Sequence, residues 1–423
     1  MCFVPGIRSL CLERTGWGGK MRATAALFGL FCTIISSSQA IAARIDVTPS
    51  ITLDQIYDSN VFNSGGRSLN AEQGDFLLRA VPELTLSLRM PETTLNLRSG
   101  IASEKYYKFD QLNNVTSSIT LALDSTTPIR VSPALAITPA AHFVQTRDSF
   151  HRNQLLPVGD PQAPANFSSE STVVKSRDYG GALHTSYLAT SNLTATVGGG
   201  VVKRDYLENV PGIFGFRVLS ADADITYRYT PRFSTGLFAL TDFDTFESQR
   251  SSRTYGGGLT MSYQIFQGMM LSARGGASHT RETDPVLPDI KNWSPNGMIS
   301  IAYTHMDFRG TLTGSMDKSG TGSFAFTTRR RTIVLSLTDQ FARGWWWDLG
   351  GSYQRNQSID DAKSVDLATV TASAGVRYRV REWAMLHLTG TGFRQWSSGP
   401  VGTDMKRDAA LLGFSIGNTY NLY

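Results

Sequence analysis

The sequence predicts an all-β chain, with about 18 antiparallel strands closing a transmembrane β-barrel that has periplasmic termini and long extracellular loops. Three observations predict this. Apolar and polar side chains alternate strictly over segments of roughly 10 residues, the length a tilted strand needs to cross a bilayer. Short turns and long polar loops alternate between those segments, and aromatic residues gather at both segment ends. The stretch Tyr255–Arg281 shows the plan most clearly. Tyr255, Gly257, Leu259, Met261, Tyr263 and Ile265 share one face; Thr260, Ser262 and Gln264 share the other; Phe266-Gln267-Gly268 breaks the pattern before it resumes at Met269. A soluble sandwich would give shorter strands and turn signals at both ends.

Composition bounds the remaining possibilities. The 423 residues are 41% hydrophobic and 18% charged, with 39 Gly. No apolar run approaches the roughly 18 residues of a membrane-spanning helix. The longest, Ala25–Ile35, has the size of a signal-peptide core. Residues 1–42 are expected to be a signal peptide with an extended or mis-started N-terminus, read from Met1 or from Met21, and residues 43–423 the barrel. Cys2, Cys11 and Cys32 precede the Ala40-Ile41-Ala42 cleavage site, so the mature chain would hold no disulfide and no Cys-ligated metal. A net charge of +5 from scattered Lys and Arg marks no nucleic-acid groove.

The first strand is expected from Ile45 around Pro49 towards Phe62, followed by Phe76–Met90, Leu95–Phe109, Val115–Asp124 and Ile129–Arg147. The longest loop, Asp148–Ser171, comes next; its prolines and length predict that it partly occludes the mouth or lumen. Hairpins then follow at Tyr179–Tyr206, Leu219–Phe243, Tyr255–Arg281, Trp293–Asp317, Thr328–Gln354 and Leu367–Trp396, and Met405–Tyr423 ends the chain. The even count puts every short turn on the periplasmic side. Tyr187, Tyr227, Phe233, Tyr263, Phe341 and Trp345 flank those turns, whereas Tyr57, Tyr179, Phe243, Tyr255, Trp293 and Trp396 mark the opposite ends.

Alternation also selects the side chains that line the lumen. Arg89, Arg98, Arg130, Arg228, Arg309, Arg377 and Arg379 are expected to face inward, mostly near the periplasmic mouth, together with Glu83, Asp222, Asp224, Asp242, Asp317 and Asp348. Two readings stand: a charged lining that biases the pore to anions, or acid–base pairs on adjacent strands that neutralise one another. Trp346, Phe238, Met270 and Met298 also point inward, where two readings again stand: aromatic surfaces that suit sugar rings, or packing under an inward-folded loop. No enzymatic activity, cofactor or metal is expected. His184-Thr185-Ser186 has the spacing of an outer-membrane lipase pair, but both side chains face the lumen beside a periplasmic turn, where no lipid substrate would reach them.

Two stretches carry a resemblance. The last strand, with Phe414, Ile416, Tyr420 and Leu422 in phase and Tyr423 at the end, resembles the terminal strand of bacterial outer-membrane proteins, which the barrel-assembly machinery reads. Tyr423 departs from that pattern by lying one residue out of phase, so Leu422 would take its place. Val47-Thr48-Pro49-Ser50-Ile51-Thr52-Leu53 followed by Ile56-Tyr57-Asp58-Ser59-Asn60-Val61-Phe62 resembles the opening of the beta-barrel porin type 2 group, outer-membrane proteins found with exosortase systems and exopolysaccharide clusters. The resemblance implies a conduit for a polysaccharide cargo, working with a periplasmic polysaccharide export protein. The competing expectation is a general or small-solute porin. Both place the chain in the bacterial outer membrane, in contact with lipid and lipopolysaccharide.

Overall fold

The computed structural model describes residues 44–62, 73–90, 94–125, 128–146, 175–208, 214–285, 288–319, 327–359, 365–399 and 404–421. The expected signal peptide, residues 1–42, and the loop Asp148–Ser171 lie outside the described residues. Every described strand belongs to one sheet of twenty segments, two of them only two residues long. The other eighteen run 12–16 residues. They are β1 (Arg44–Asp58), β2 (Asp75–Arg89), β3 (Thr94–Tyr106), β4 (Asn114–Ser125), β5 (Leu135–Thr146), β6 (Ser176–Leu188), β7 (Leu193–Tyr206), β8 (Phe216–Thr230) and β9 (Phe233–Phe246). The second half comprises β10 (Ser251–Phe266), β11 (Met269–Thr283), β12 (Ile290–His305), β13 (Phe308–Ser319), β14 (Thr328–Ala342), β15 (Trp345–Ser358), β16 (Asp366–Arg381), β17 (Ala384–Ser397) and β18 (Met405–Gly417).

Each strand pairs antiparallel with its neighbour in sequence, and β18 returns to β1 with Ser50 opposite Gly417 and Asp58 opposite Ala409. Closure removes the two free edges that an open sheet would expose, and without it no sheet could stand in hydrocarbon. The outward face is the apolar one. Leu237, Leu259, Ile299, Leu312, Ile333, Leu388 and Leu412 are exposed there, as the lipid-facing side of a membrane barrel requires. The short turns are built tightly: Gly268 and Gly344 take φ of +89° and +81°, a region closed to most side chains. Around them stand Tyr263, Phe266, Tyr303, Phe341, Trp345 and Tyr378, with the Trp345 and Tyr378 rings stacked at 4.3 Å. By the rule for outer-membrane barrels, these turns face the periplasm.

The structure corrects three expected boundaries. The strand expected at Ile129–Arg147 breaks: Ile129–Arg130 is a separate two-residue piece paired with Ala136 and Ile137, and β5 begins at Leu135. Ser132 causes the break, its Oγ accepting from the Ala134 and Leu135 amides ahead of Pro133. The first strand stops at Asp58 rather than running towards Phe62, because the Asp58 carboxylate accepts from the Asn60 amide at 2.9 Å. The third stops at Tyr106, where Asp75 takes the Lys108 and Phe109 amides.

Both truncated ends turn back over the lumen side. Val61, Phe62, Phe109 and Leu112 pack on Ile56, Leu77, Tyr106, Phe393 and Met405, all inward by register. A small apolar core therefore sits inside the extracellular mouth, along β17, β18 and β1–β3.

Candidate channel lining

An antiparallel rung sets side chains from successive strands side by side at about 5 Å, and every second residue of each strand faces the lumen. Glycine at an inward position leaves a gap that its neighbours fill. His387 on β17, Gly413 on β18 and Asp54 on β1 share one rung. His387 Nε2 meets Asp54 Oδ1 at 2.9 Å across the bare Gly413, where a Cβ would collide with both. His184 on β6, Gly198 on β7 and Asp222 on β8 repeat the arrangement, and a Cβ on Gly198 would strike His184 Nδ1 and Asp222 Oδ1. Neither cross-strand set is visible in the linear sequence, since its members lie on three strands.

The inward arginines meet varied partners. Arg89 Nε lies 2.6 Å from Asp46, Arg98 Nε lies 3.4 Å from Glu83, and Arg377 grips Asp348 through two bonds of 2.7 Å. Asp348 also accepts from Thr338 Oγ1. Arg228 donates to the Ser191 carbonyl of the neighbouring turn at 2.6 Å. Arg379 lies over the Trp346 ring at 4.7 Å. Arg130 sits exposed in the short piece before β5, displaced from the long strand expected for it. Arg309 has no hydrogen-bond or ion-pair partner among the described residues.

The opposite wall is acidic. Asp222 and Asp224 on β8, and Asp242 and Asp244 on β9, all face inward, with Asp317 of β13 in the same electrostatic neighbourhood. Asp222, Asp224 and Asp242 surround Arg274 of β11, the cation of this wall, without forming an ion pair among the described residues. Asp317 is held instead by Arg330 in a bidentate pair of 2.7 and 2.9 Å. Arg274 lies over Phe238 with its guanidinium 3.6 Å from the ring centroid. Phe238 is thereby 5% exposed, and it offers no open face for a sugar ring. This overturns its expected role as a stacking platform.

Of the terminal-strand residues, Phe414 and Ile416 are on the outward face of β18, in register with Leu53 and Ile51 of β1. Tyr420 is exposed opposite Val47 beyond a break at Asn418-Thr419. Leu422 and Tyr423 lie outside the described residues.

No family model matches the chain, and no curated protein matches it. Among solved structures it is similar to Pseudomonas aeruginosa OpdK with vanillate, at 13% identity and a TM-score of 0.43 over 88% of this chain and 99% of that one. Pseudomonas aeruginosa OccK2 (OpdF) in complex with glucuronate follows at 12% identity and TM-score 0.43, over 90% and 100% of the two chains. A BenF-like porin from Pseudomonas fluorescens Pf-5 stands at 11% identity and TM-score 0.43, over 89% and 99%. Strand count, closure and the lipid-facing exterior define an outer-membrane β-barrel on their own evidence.

Proposed function

We propose that this barrel is a channel for small polar solutes, and that its charge preference is set between two walls of the lumen. The observation that carries the reading is the set of carboxylates on β8 and β9. Asp222, Asp224 and Asp242 face the lumen with Arg274 as their shared cation, rather than being consumed in close pairs. A barrel of this strand number encloses water rather than a packed core, so charges that remain accessible act on passing solutes. Arg309 and Arg379 supply the opposite sign nearer the periplasmic mouth. The chain acts by passage and not by bond-making, and residues 1–42 serve as its export signal. The outward row of Leu412, Phe414 and Ile416, continued by Tyr420, is what the assembly machinery would read.

The second reading is a polysaccharide conduit coupled to a periplasmic export protein. Support for it comes from the resemblance of Val47–Phe62 to the beta-barrel porin type 2 group. Its argument from inward aromatics is weakened, since Phe238 is covered by Arg274 and half-buried Trp346 has Arg379 over its ring. One experiment separates the two. The purified barrel in liposomes should admit monosaccharides and amino acids while excluding long dextrans, and deletion in the native host should leave surface polysaccharide intact. Loss of surface polysaccharide on deletion, with no small-solute permeation in liposomes, would establish the conduit.

A further inference from the structure

The outer surface carries a charge pattern that the lumen does not explain. On the lipid-facing side, register sets Arg253 of β10, Arg281 of β11 and Lys291 of β12 directly opposite one another on a single rung. Like charges side by side on a sheet repel, and they are retained where a counter-charge sits on them. Asp289 is one such partner: Arg281 holds it at 2.6 Å, and that hydrogen bond keeps its carboxyl below the usual range, so it stays anionic. One carboxylate against three cations leaves the row positive.

The next outward rung towards the membrane is aromatic. Tyr255, His279 and Trp293 lie opposite one another, with His279 and Trp293 rings 5.0 Å apart and Trp293 71% exposed. Cations one rung outside an aromatic belt lie at headgroup level, where phosphates are found. The pattern continues around the barrel with Lys318 opposite Arg329, and with Arg331 opposite Arg355, although Arg355 is matched by Asp366 through two bonds of 2.8 and 2.9 Å. At the periplasmic ends of the same strands the outward positions are Tyr263, Leu271, Tyr303, Phe308, Phe341 and Trp345, with no Lys or Arg. The asymmetry therefore belongs to one leaflet.

Below this belt lies a hollow of about 480 Å³ whose outward lining is Gly297, Ile299, Gly314, Met316, Ile333 and Tyr353, with Arg331 at its edge; Arg274, Met298, Ser315 and Thr332, inward by register, also border it. A Cβ on Gly314 would meet nothing within 4 Å, so the hollow is open space rather than tight packing.

We propose that the outward face of β10–β15 is a binding site for the phosphorylated lipid A headgroup of lipopolysaccharide. Arg253, Arg281 and Lys291 hold its phosphates, Trp293 seats against the headgroup sugar, and the Gly297–Gly314 groove receives an acyl chain. A three-cation row spans about 10 Å across adjacent strands, which matches a headgroup bearing two phosphates better than the single phosphate of a phospholipid. The site rests on the barrel standing in the outer membrane, and it is independent of what the lumen passes.

The test uses the full mature chain in detergent. Binding of diphosphoryl lipid A, monophosphoryl lipid A and phosphatidylglycerol is measured by native mass spectrometry and by Trp fluorescence. Diphosphoryl lipid A should bind at least tenfold more tightly than phosphatidylglycerol, with the monophosphoryl form between them. The Arg253→Gln, Arg281→Gln, Lys291→Gln triple variant should lose that preference, whereas Lys203→Gln with Arg217→Gln, outside the row, should keep it. Equal binding of lipid A and phosphatidylglycerol, or a triple variant that still prefers lipid A, would overturn the assignment. If the triple variant does not fold, the single variants Arg253→Gln and Lys291→Gln decide, each expected to weaken lipid A binding severalfold with channel conductance unchanged. Unaltered lipid A binding in both single variants would also overturn it.

Discussion

Two parts of the lumen wall use the same residue types to opposite ends. Where β18 meets β1, inward charges are spent on one another. Arg407 and Asp58 are both fully buried and bonded through several contacts, with Arg407 Nε 3.0 Å from either carboxylate oxygen. His387 bonds Asp54 a few rungs away, and the apolar cluster of Ile56, Leu77 and Phe393 closes over the region. On β8 and β9, Asp222, Asp224 and Asp242 face the lumen around a single Arg274. Paired charge at the junction ties the first and last strands together, whereas the carboxylates of the other wall stay out of such pairs. Inward orientation alone thus says little about role. The partner decides it.

The largest effect is expected at the junction. Removing one member of a buried ion pair strands the other in a low-dielectric setting, at a cost of about 3–5 kcal/mol. Asp58→Ala should therefore lower the unfolding midpoint of the barrel in urea or on heating, by far more than Asp222→Ala does. Adding Arg407→Met to Asp58→Ala should recover part of the loss, because the orphaned guanidinium is gone. Equal destabilisation by Asp58→Ala and Asp222→Ala would mean that the two walls do not differ in this way.

A smaller structural effect follows from the two glycine gaps. Gly413→Val forces apart His387 and Asp54, and overpacking of this kind costs about 1–3 kcal/mol. Gly198→Val drives His184 and Asp222 apart, but no direct bond between them is lost. The first variant should be the less stable in the same unfolding assay; the reverse order would deny that the junction is the tighter of the two.

Much of this architecture is legible in sequence because its period is simple. Alternation of Tyr255, Gly257, Leu259 and Met261 against Thr260 and Ser262 assigns inside and outside with no knowledge of neighbours, and the number of strands follows from counting turns. What escapes is whatever depends on register between distant strands. Nothing local to Asp54 foretells His387, which lies 333 residues away. Nor does the surrounding sequence show that Arg274 lies down on Phe238. Apolar Val61, Phe62 and Phe109 prolong the pattern of their strands, so they read as strand ends; the local bond from the Asn60 amide to Asp58 and the long-range bonds from the Lys108 and Phe109 amides to Asp75 turn them inward instead. The outward cations Arg253, Arg281 and Lys291 have the right parity in sequence, but their meeting on one rung requires the register of three strands.

Removing the accessible carboxylates should change selectivity and leave stability nearly alone. A unit charge about 4 Å from the ion path contributes about 1 kcal/mol in water, which is roughly fivefold in a permeability ratio. Asp222→Asn, Asp224→Asn and Asp242→Asn combined should thus move the reversal potential in a salt gradient towards anion preference, with an unfolding midpoint close to that of the parent. A shift in stability without a shift in selectivity would place these residues with the junction pairs.

The smallest effect tests the arginines one by one. Arg377 is matched by Asp348 through two bonds, so replacing it also frees a carboxylate, and the net charge of the lining changes in a setting already rearranged. Arg309 has no such partner among the described residues, although Thr338 stands between it and Asp348 on the same rung. Arg309→Gln therefore removes one positive charge and little else. It should move the reversal potential slightly towards cation preference, by less than the triple Asp variant moves it the other way, with conductance and stability unchanged. Arg98→Gln, whose partner Glu83 lies 3.4 Å away, gives the contrast. Both groups of that pair are substantially exposed to the wet lumen, where an ion pair contributes little, so its loss exposes Glu83 fully to passing ions. If Arg309→Gln leaves the reversal potential where it was while Arg98→Gln moves it, pairing is not what silences a lumen charge, and position along the pore must be.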